Sequence, residues 1–334
     1  MAANRKILLA KRPVGMITED CFSIVEEPMP EPGEGEAILK VEYFSLDPTI
    51  RGWLRDEPSY LPPVGIGDVV RSAGVGRVVA SNNDALPVGS AMSGLTGWQE
   101  YAVVGGPNGV LAQPVADGID LVDAVSVFGV TGITAYFGVT DVGNLAAGET
   151  MVVSGAAGAV GSVAGQIGKI LGARVIGIAG SDDKCAWVVD DLGFDACINY
   201  KTQDVAKALH EACPNGIDVY FDNVGGEILD AALTMMNMFG RIVACGMISQ
   251  YNDTEPPPGP RNLNRIVVQR LRMQGFIILD YLMRFQEAID QLGTWAGEGK
   301  LQNRVEMVEG LENTPRAINM LFTGGNTGKL VVRV

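Results

Sequence analysis

The run MVVSGAAGAVG at 151–161 joins an unbroken apolar stretch to a turn of tiny residues and then to a segment of helical length. A strand, a tight turn and a helix in that order bring unpaired backbone N–H groups and the positive end of a helix dipole to one point. Such a point suits a pyrophosphate, and only Gly or Ala lets the backbone approach closely enough to hold it. The spacing departs from GxGxxG, with Ala156 at the first position and Gly158 and Gly161 at the others. A glycine pattern alone is a weak signal, because tight packing of a helix on a strand uses the same residues. The βα units that follow supply the context a dinucleotide site requires.

The second strand of that context, ARVIGIAG (173–180), ends in Gly180 and Ser181, where an NAD site usually carries an Asp or Glu for the ribose 2′-hydroxyl. Without that carboxylate a 2′-phosphate is admitted. Ser181 offers a hydroxyl and Lys184 a compact positive charge, so NADPH is expected in preference to NADH. The same residues also read as a helix N-cap and a solvated lysine, and Asp182 and Asp183 add negative charge beside them.

The remaining chemistry is narrowed by what is scarce. His210, in the amphipathic stretch DVAKALHEAC, is the one histidine and reads as a surface residue. Zinc hydrolases and Ser–His–Asp or Cys–His enzymes therefore have little to build with. Cys21, Cys185, Cys197, Cys213 and Cys245 form no CxxC pair, which suggests reduced thiols in a cytoplasmic protein. Lys and Arg number 25 against 39 Asp and Glu, a formal net charge of −14, so neither nucleic acid nor an anionic membrane is an expected partner. The N-terminal MAANRKILLAKRP lacks a signal-peptide core, and no apolar run approaches the roughly 18 residues of a membrane span.

Two kinds of element must position these residues. Up to about residue 125 the chain reads as short strands: EAILKVEYFSLD (36–47), DVVRSAGVGRVVA (68–80) and WQEYAVV (98–104), with loops at 27–36 and 107–120. From 121 a helical stretch leads into alternating strands and helices, which implies a parallel sheet covered on both faces. Strands are expected at 149–154, 173–180, 196–200, 217–222, 241–246 and 275–280. Helices are expected at 158–172, 182–193, 205–213, 227–237 and 282–298; the basic segment RNLNRIVVQRLR (261–272) reads as an anion patch or, from the helical spacing of its Leu, Ile and Val, as the favoured amphipathic core helix. RVEMVEG, a helix near 314–323 and GKLVVRV are too small to stand alone and should return to the first lobe. The expected division is 1–125 for the first lobe, 126–300 for the nucleotide lobe and 301–334 for the return.

Taken together, FSLDPTIRGW (44–53), GITAYFGV (132–139), SGAAGAVGSVAGQI (154–167), AGSDDK (179–184), YFDNVGGE (220–227), GRIVACGMISQYN (240–252) and TGKLVVRV (327–334) carry a family resemblance over nearly the whole chain. It resembles the zinc-free medium-chain dehydrogenases/reductases, and within them the prostaglandin reductase, leukotriene B4 dehydrogenase and curcumin reductase group of NADPH-dependent alkenal and alkenone reductases. The resemblance implies an α/β protein: a Rossmann domain with a doubly wound parallel sheet, plus a β-rich GroES-like barrel domain carrying substrate. It also implies a homodimer. VVRSAGVG stands where zinc-dependent relatives carry a His–Glu pair, so no metal is expected.

By the same resemblance, Gly158, Ala159, Val160 and Gly161 line the pyrophosphate, and Lys184 and Tyr200, with Ser181 nearby, meet the 2′-phosphate. Asn223, Cys245, Gly246, Met247, Ile248, Ser249 and Tyr251 run along the nicotinamide half, and Phe276, Ile277, Ile278 and Asn326 complete the groove. Cys245 and Phe276 also read as ordinary core residues. Hydride added to the β-carbon of an enone or enal pushes charge onto the carbonyl oxygen, and Tyr251, helped by the cofactor ribose hydroxyl, is the candidate donor to it. Packing of Tyr251 on the Pro-rich loop is the alternative. Tyr60 is a candidate at the substrate entrance, or a loop aromatic capping the β lobe. A zinc-free quinone reductase and a non-catalytic NADPH-binding protein are the competing readings.

Overall fold

The structure, a computed structural model, describes residues 3–107 and 109–334. The chain divides into two units, one running to Gly129 and resuming at Val305–Val334, the other Val130–Arg304. The divisions fall four residues later than the sequence expectation at both joins.

In the first unit the strands are β1 (Ala3–Leu9), β2 (Phe22–Pro28), β3 (Glu36–Ser45), β4 (Gly74–Ser81), β5 (Ala91–Gly94), β6 (Tyr101–Gly105) and β7 (Ala112–Pro114). The second unit supplies β8 (Thr150–Ser154), β9 (Arg174–Ala179), β10 (Ala196–Asn199), β11 (Ile217–Asp222), β12 (Met236–Ala244) and β13 (Arg272–Gly275), and the chain returns with β14 (Val305–Glu309) and β15 (Lys329–Arg333). β1 and β2 form an antiparallel pair, while the larger sheet of the first unit runs β14-β15-β3-β4-β5-β7, with β6 also on β3. Its core gathers Ile7, Leu9, Phe44, Trp53, Trp98 and Leu330. The loop expected over 107–120 contains β7, a three-residue strand too short to show a period. Lys329 is buried there, its ammonium on the Ser45 hydroxyl at 3.0 Å and on the Asp47 carboxylate.

The second unit is built on a wholly parallel sheet of order β10-β9-β8-β11-β12-β13. β8 is buried at every position, as a central parallel strand covered on both faces must be. The helices are α1 (Thr49–Trp53) and α2 (Leu121–Val125) in the first unit, then α3 (Val130–Phe137), α4 (Ala159–Ile170), α5 (Asp182–Asp190), α6 (Val205–Ala212), α7 (Gly226–Met235), α8 (Arg265–Gln269) and α9 (Phe285–Gly297) in the second. His210 is exposed on α6. The order reverses between β8 and β11, the switch point at which α/β sheets place ligands beyond the strands' carboxyl ends.

Four expectations need correction. The strand near 275–280 is β13, which ends at Gly275; Ile278–Arg284 forms a 3-10 turn instead. The helix of 261–272 shrinks to the five residues of α8, and Val267 and Val268 are 78% and 53% exposed, so their helical spacing does not mark a core face. The helix expected to 237 stops at Met235, because Met236 already pairs with Ile217 in the sheet. The one expected over 314–323 is two short helices, α10 (Thr314–Ala317) and α11 (Met320–Thr323). Among the described residues no helix is long and apolar enough to cross a membrane.

Candidate functional site

At the end of β8 the chain turns through Gly155, whose φ of +62° favours glycine, and enters α4 with Gly158 at the N-cap and no side-chain cap. A Cβ on Gly161 would lie 2.3 Å from the Gly155 carbonyl oxygen, so the first helical turn sits directly on the loop. Ala159 and Val160 are half-buried on that turn. The uncapped amides, the small side chains and the dipole suit a pyrophosphate.

One strand over, Ser181 caps α5, its hydroxyl accepting from the Lys184 amide at 3.3 Å. The Tyr200 ring lies over Gly180, where an added Cβ would come within 3.0–3.2 Å of its atoms. Ser181, Lys184 and Tyr200 thus cluster around the tip of β9. Asp182 is turned to Asn199, whose side-chain amide donates to it at 2.7 Å.

On the other side of the switch point, two loops are stitched together. The amides of Cys245 and Gly246 donate to the Asp222 carbonyl at 2.9 and 3.0 Å, Ile248 N–H to the Asn223 carbonyl at 3.2 Å, and Ser249 N–H and hydroxyl to the Val224 carbonyl at 3.2 and 2.6 Å. Asn223 is itself tied to the glycine loop, its side-chain amide donating to the Ser154 carbonyl at 2.7 Å. Tyr251 folds back over this loop, and its phenol oxygen accepts the Met247 amide at 3.1 Å. Cys245 is a thiol whose pKa burial pushes up to about 12, with the neighbouring Asp222 charge adding to the effect. A raised pKa favours the neutral thiol over the nucleophilic thiolate.

Phe276 follows β13 and packs edge-on against Tyr281 at 6.3 Å, while Ile277 is half-buried and Ile278 packs with Ile133, Phe137 and Ala288. Tyr60 and Asn326 belong to the first unit. Tyr60 is 44% exposed, shares a hydrogen bond with the Thr49 hydroxyl and meets Trp53 edge-on at 6.2 Å. Burial pushes its phenol above the ordinary tyrosine value. Asn326 is buried and donates to the Gly328 carbonyl at 3.0 Å. Sequence reasoning missed Asp222 and Ser154, the buried pair beneath these loops. Their only sequence signal was an acid at the end of an apolar strand, in FDNVGG.

Comparison with known proteins agrees with this architecture. Residues 5–111 match the family described as N-terminal domain of oxidoreductase, and 159–294 that described as zinc-binding dehydrogenase. The chain is 43% identical to the NADPH-dependent curcumin reductase of Escherichia coli (strain K12), over 99% of this chain and 97% of that one. The chain belongs to the medium-chain dehydrogenase/reductase family of curcumin and prostaglandin reductases. Prostaglandin reductase 1 of Mus musculus, a second relative in this family, is 40% identical over the full length of both chains. Among solved structures, CurA from Vibrio vulnificus in complex with NADPH superposes with a TM-score of 0.93 at 43% identity, over 99% of each chain. Although one of the two family descriptions names zinc, no group of three or more His, Cys, Asp or Glu among the described residues is placed to hold a metal ion.

Proposed function

We propose that this member of the family reduces the carbon–carbon double bond of α,β-unsaturated ketones and aldehydes with NADPH. The relatives named for NADPH-dependent curcumin reduction and for prostaglandin reduction support the reading, each similar to this chain end to end. The observation that carries it is Tyr251 held over the stitched loop by the Met247 amide.

In this reading Gly158, Ala159, Val160 and Gly161 hold the pyrophosphate, and Ser181, Lys184 and Tyr200 the 2′-phosphate. Asn223, Cys245, Gly246, Met247, Ile248 and Ser249 form the floor of the nicotinamide half, with Phe276, Ile277 and Ile278 completing the groove within the second unit. NADPH, when bound, supplies a hydride for the substrate's β-carbon. Tyr251 donates a hydrogen bond to the substrate carbonyl oxygen, where negative charge collects, and does so from a position fixed before the charge appears. Accepting the Met247 amide polarises the phenol and makes it a better donor. The α-carbon takes its proton from Tyr251 or solvent.

The assay is NADPH oxidation with an alkenal, an alkenone and a quinone, with NADH as the control and a chelator in a duplicate. Chelator-insensitive, NADPH-selective turnover of the enal and enone to saturated carbonyls is expected. Preferential quinone turnover, or binding without turnover, overturns the reading.

The same reading includes a cytoplasmic homodimer. The five cysteines are all thiols, which suits a reducing compartment. β13 is an edge strand, and Val267, Val268 and Phe239 are exposed near it, with the Arg270 guanidinium over the Phe239 ring. An unpaired edge flanked by apolar side chains suits a second copy of the chain. Sedimentation at a dimer's mass in the wild type, and at a monomer's in Val267→Asp, tests it.

A further inference from the structure

Asp222 closes β11 at the switch point and is 0% exposed. Its Oδ1 accepts four bonds: from the Ser154 hydroxyl at 2.9 Å, the Tyr220 phenol at 3.0 Å, and the amides of Val224 and Gly225 at 3.0 and 2.9 Å. The Ser154 oxygen accepts the Asn223 amide at 2.9 Å, which directs its own proton to the carboxylate. Oδ2 has no hydrogen-bond partner. Among the described residues no Lys or Arg forms an ion pair with Asp222. Burial pushes this carboxyl above the usual range, while the two amides and two hydroxyls pull it back toward the charged form.

The four donors do not by themselves call for a carboxylate here. A neutral amide oxygen would accept the same four donors, and burying an ion without a counter-ion is costly. A dinucleotide spans the switch point, with its pyrophosphate at the loop after the first strand and its two nucleosides over the two halves of the sheet. Here the tip of β9 carries the groups suited to a 2′-phosphate, which leaves the ends of β11 and β12 to the nicotinamide.

We infer that Asp222 is held ionised and is a positioning residue, its charge favouring the oxidised, cationic nicotinamide over the reduced, neutral one, and so favouring departure of the hydride. This rests on the NADPH-binding reading above. The hydride leaves with both bonding electrons for the β-carbon, and the ring left behind gains one positive charge. By Coulomb's law, one negative charge at a separation on the order of 10 Å in a poorly screened setting shifts such an equilibrium by about tenfold.

The test is equilibrium binding of NADP+ and of NADPH to wild type and to Asp222→Asn, with thermal melting to establish folding. In D222N the affinity for NADP+ should fall about tenfold relative to that for NADPH, whereas a merely structural role lowers both alike. An unchanged ratio overturns the inference. Asp222→Ser, a smaller neutral side chain, must show the same sign, and if neither variant folds, the carboxylate serves stability and the inference fails. Wild type that binds neither dinucleotide removes the cofactor reading itself. Wild type that binds both, with unchanged ratios in the variants, removes only the role of Asp222.

Discussion

The Met247 amide donates to the Tyr251 phenol oxygen across four residues, at 3.1 Å, so the aromatic side chain is held by the loop it covers. Tyr251→Phe keeps the ring and removes the oxygen. If the phenol stabilises the developing enolate, kcat for an alkenone falls roughly a hundredfold or more, with NADPH affinity nearly unchanged. Steady-state kinetics on alkenone and quinone check it. Equal, mild losses on both substrates would assign Tyr251 to packing.

The tip of β9 offers no carboxylate of its own, and Asp182 is engaged by Asn199. Lys184→Ala should therefore weaken NADPH by about tenfold or more, the worth of a charge-assisted contact, and leave NADH unaffected. Titration with both dinucleotides reads the change. If the preference for NADPH survives, the 2′-phosphate is held elsewhere.

Gly161 has its Cβ position blocked by backbone rather than by a movable side chain. Gly161→Ala should push α4 off the Gly155 carbonyl, destabilise the second unit by about 1–3 kcal/mol and weaken both dinucleotides together. Thermal melting and binding must move together; a stable variant with intact binding would mean that the loop tolerates the extra methyl.

Much of the architecture was legible because its signals are local. Parallel strands buried on both faces, such as MVVS, read as unbroken apolar runs, and the glycine loop declares itself by size alone. The segment 261–280 misled because Leu263, Val267 and Val268 have helical spacing yet face outward, where a monomer's sequence and an interface's look alike. GFIILD looked like a strand by composition, but β13 pairs with β12 only from Arg272 to Gly275. Asp222 was invisible for another reason. Its environment is made by Ser154, 68 residues earlier, and no window of sequence shows which acids are buried.

Arg241 on β12 clamps Glu149, its two terminal nitrogens donating to the two carboxylate oxygens at 2.8 and 2.5 Å, while the Ala146 amide adds a bond at 2.9 Å. Burial pushes the Glu149 carboxyl up, but Arg241 and the amide outweigh it and leave the group below its ordinary value. Asp195, bonded to Lys169 and to the Val175 amide at 2.7 Å each, follows the same pattern. A folded-state pKa below the unfolded one contributes stability that is fully present above the unfolded value, and that is lost as pH falls through the folded one. The second unit should therefore keep these contributions at neutral pH and lose them progressively below about pH 4, the unfolded carboxylate range. Arg241→Ala should cost about 1–3 kcal/mol at pH 7 and less at pH 3, on the way down through the lowered folded-state pKa of Glu149. Denaturant unfolding at the two pH values decides it: an equal cost at both would mean that Arg241 acts through its bonds to the carbonyls of Gly143 and Asn144 rather than through Glu149.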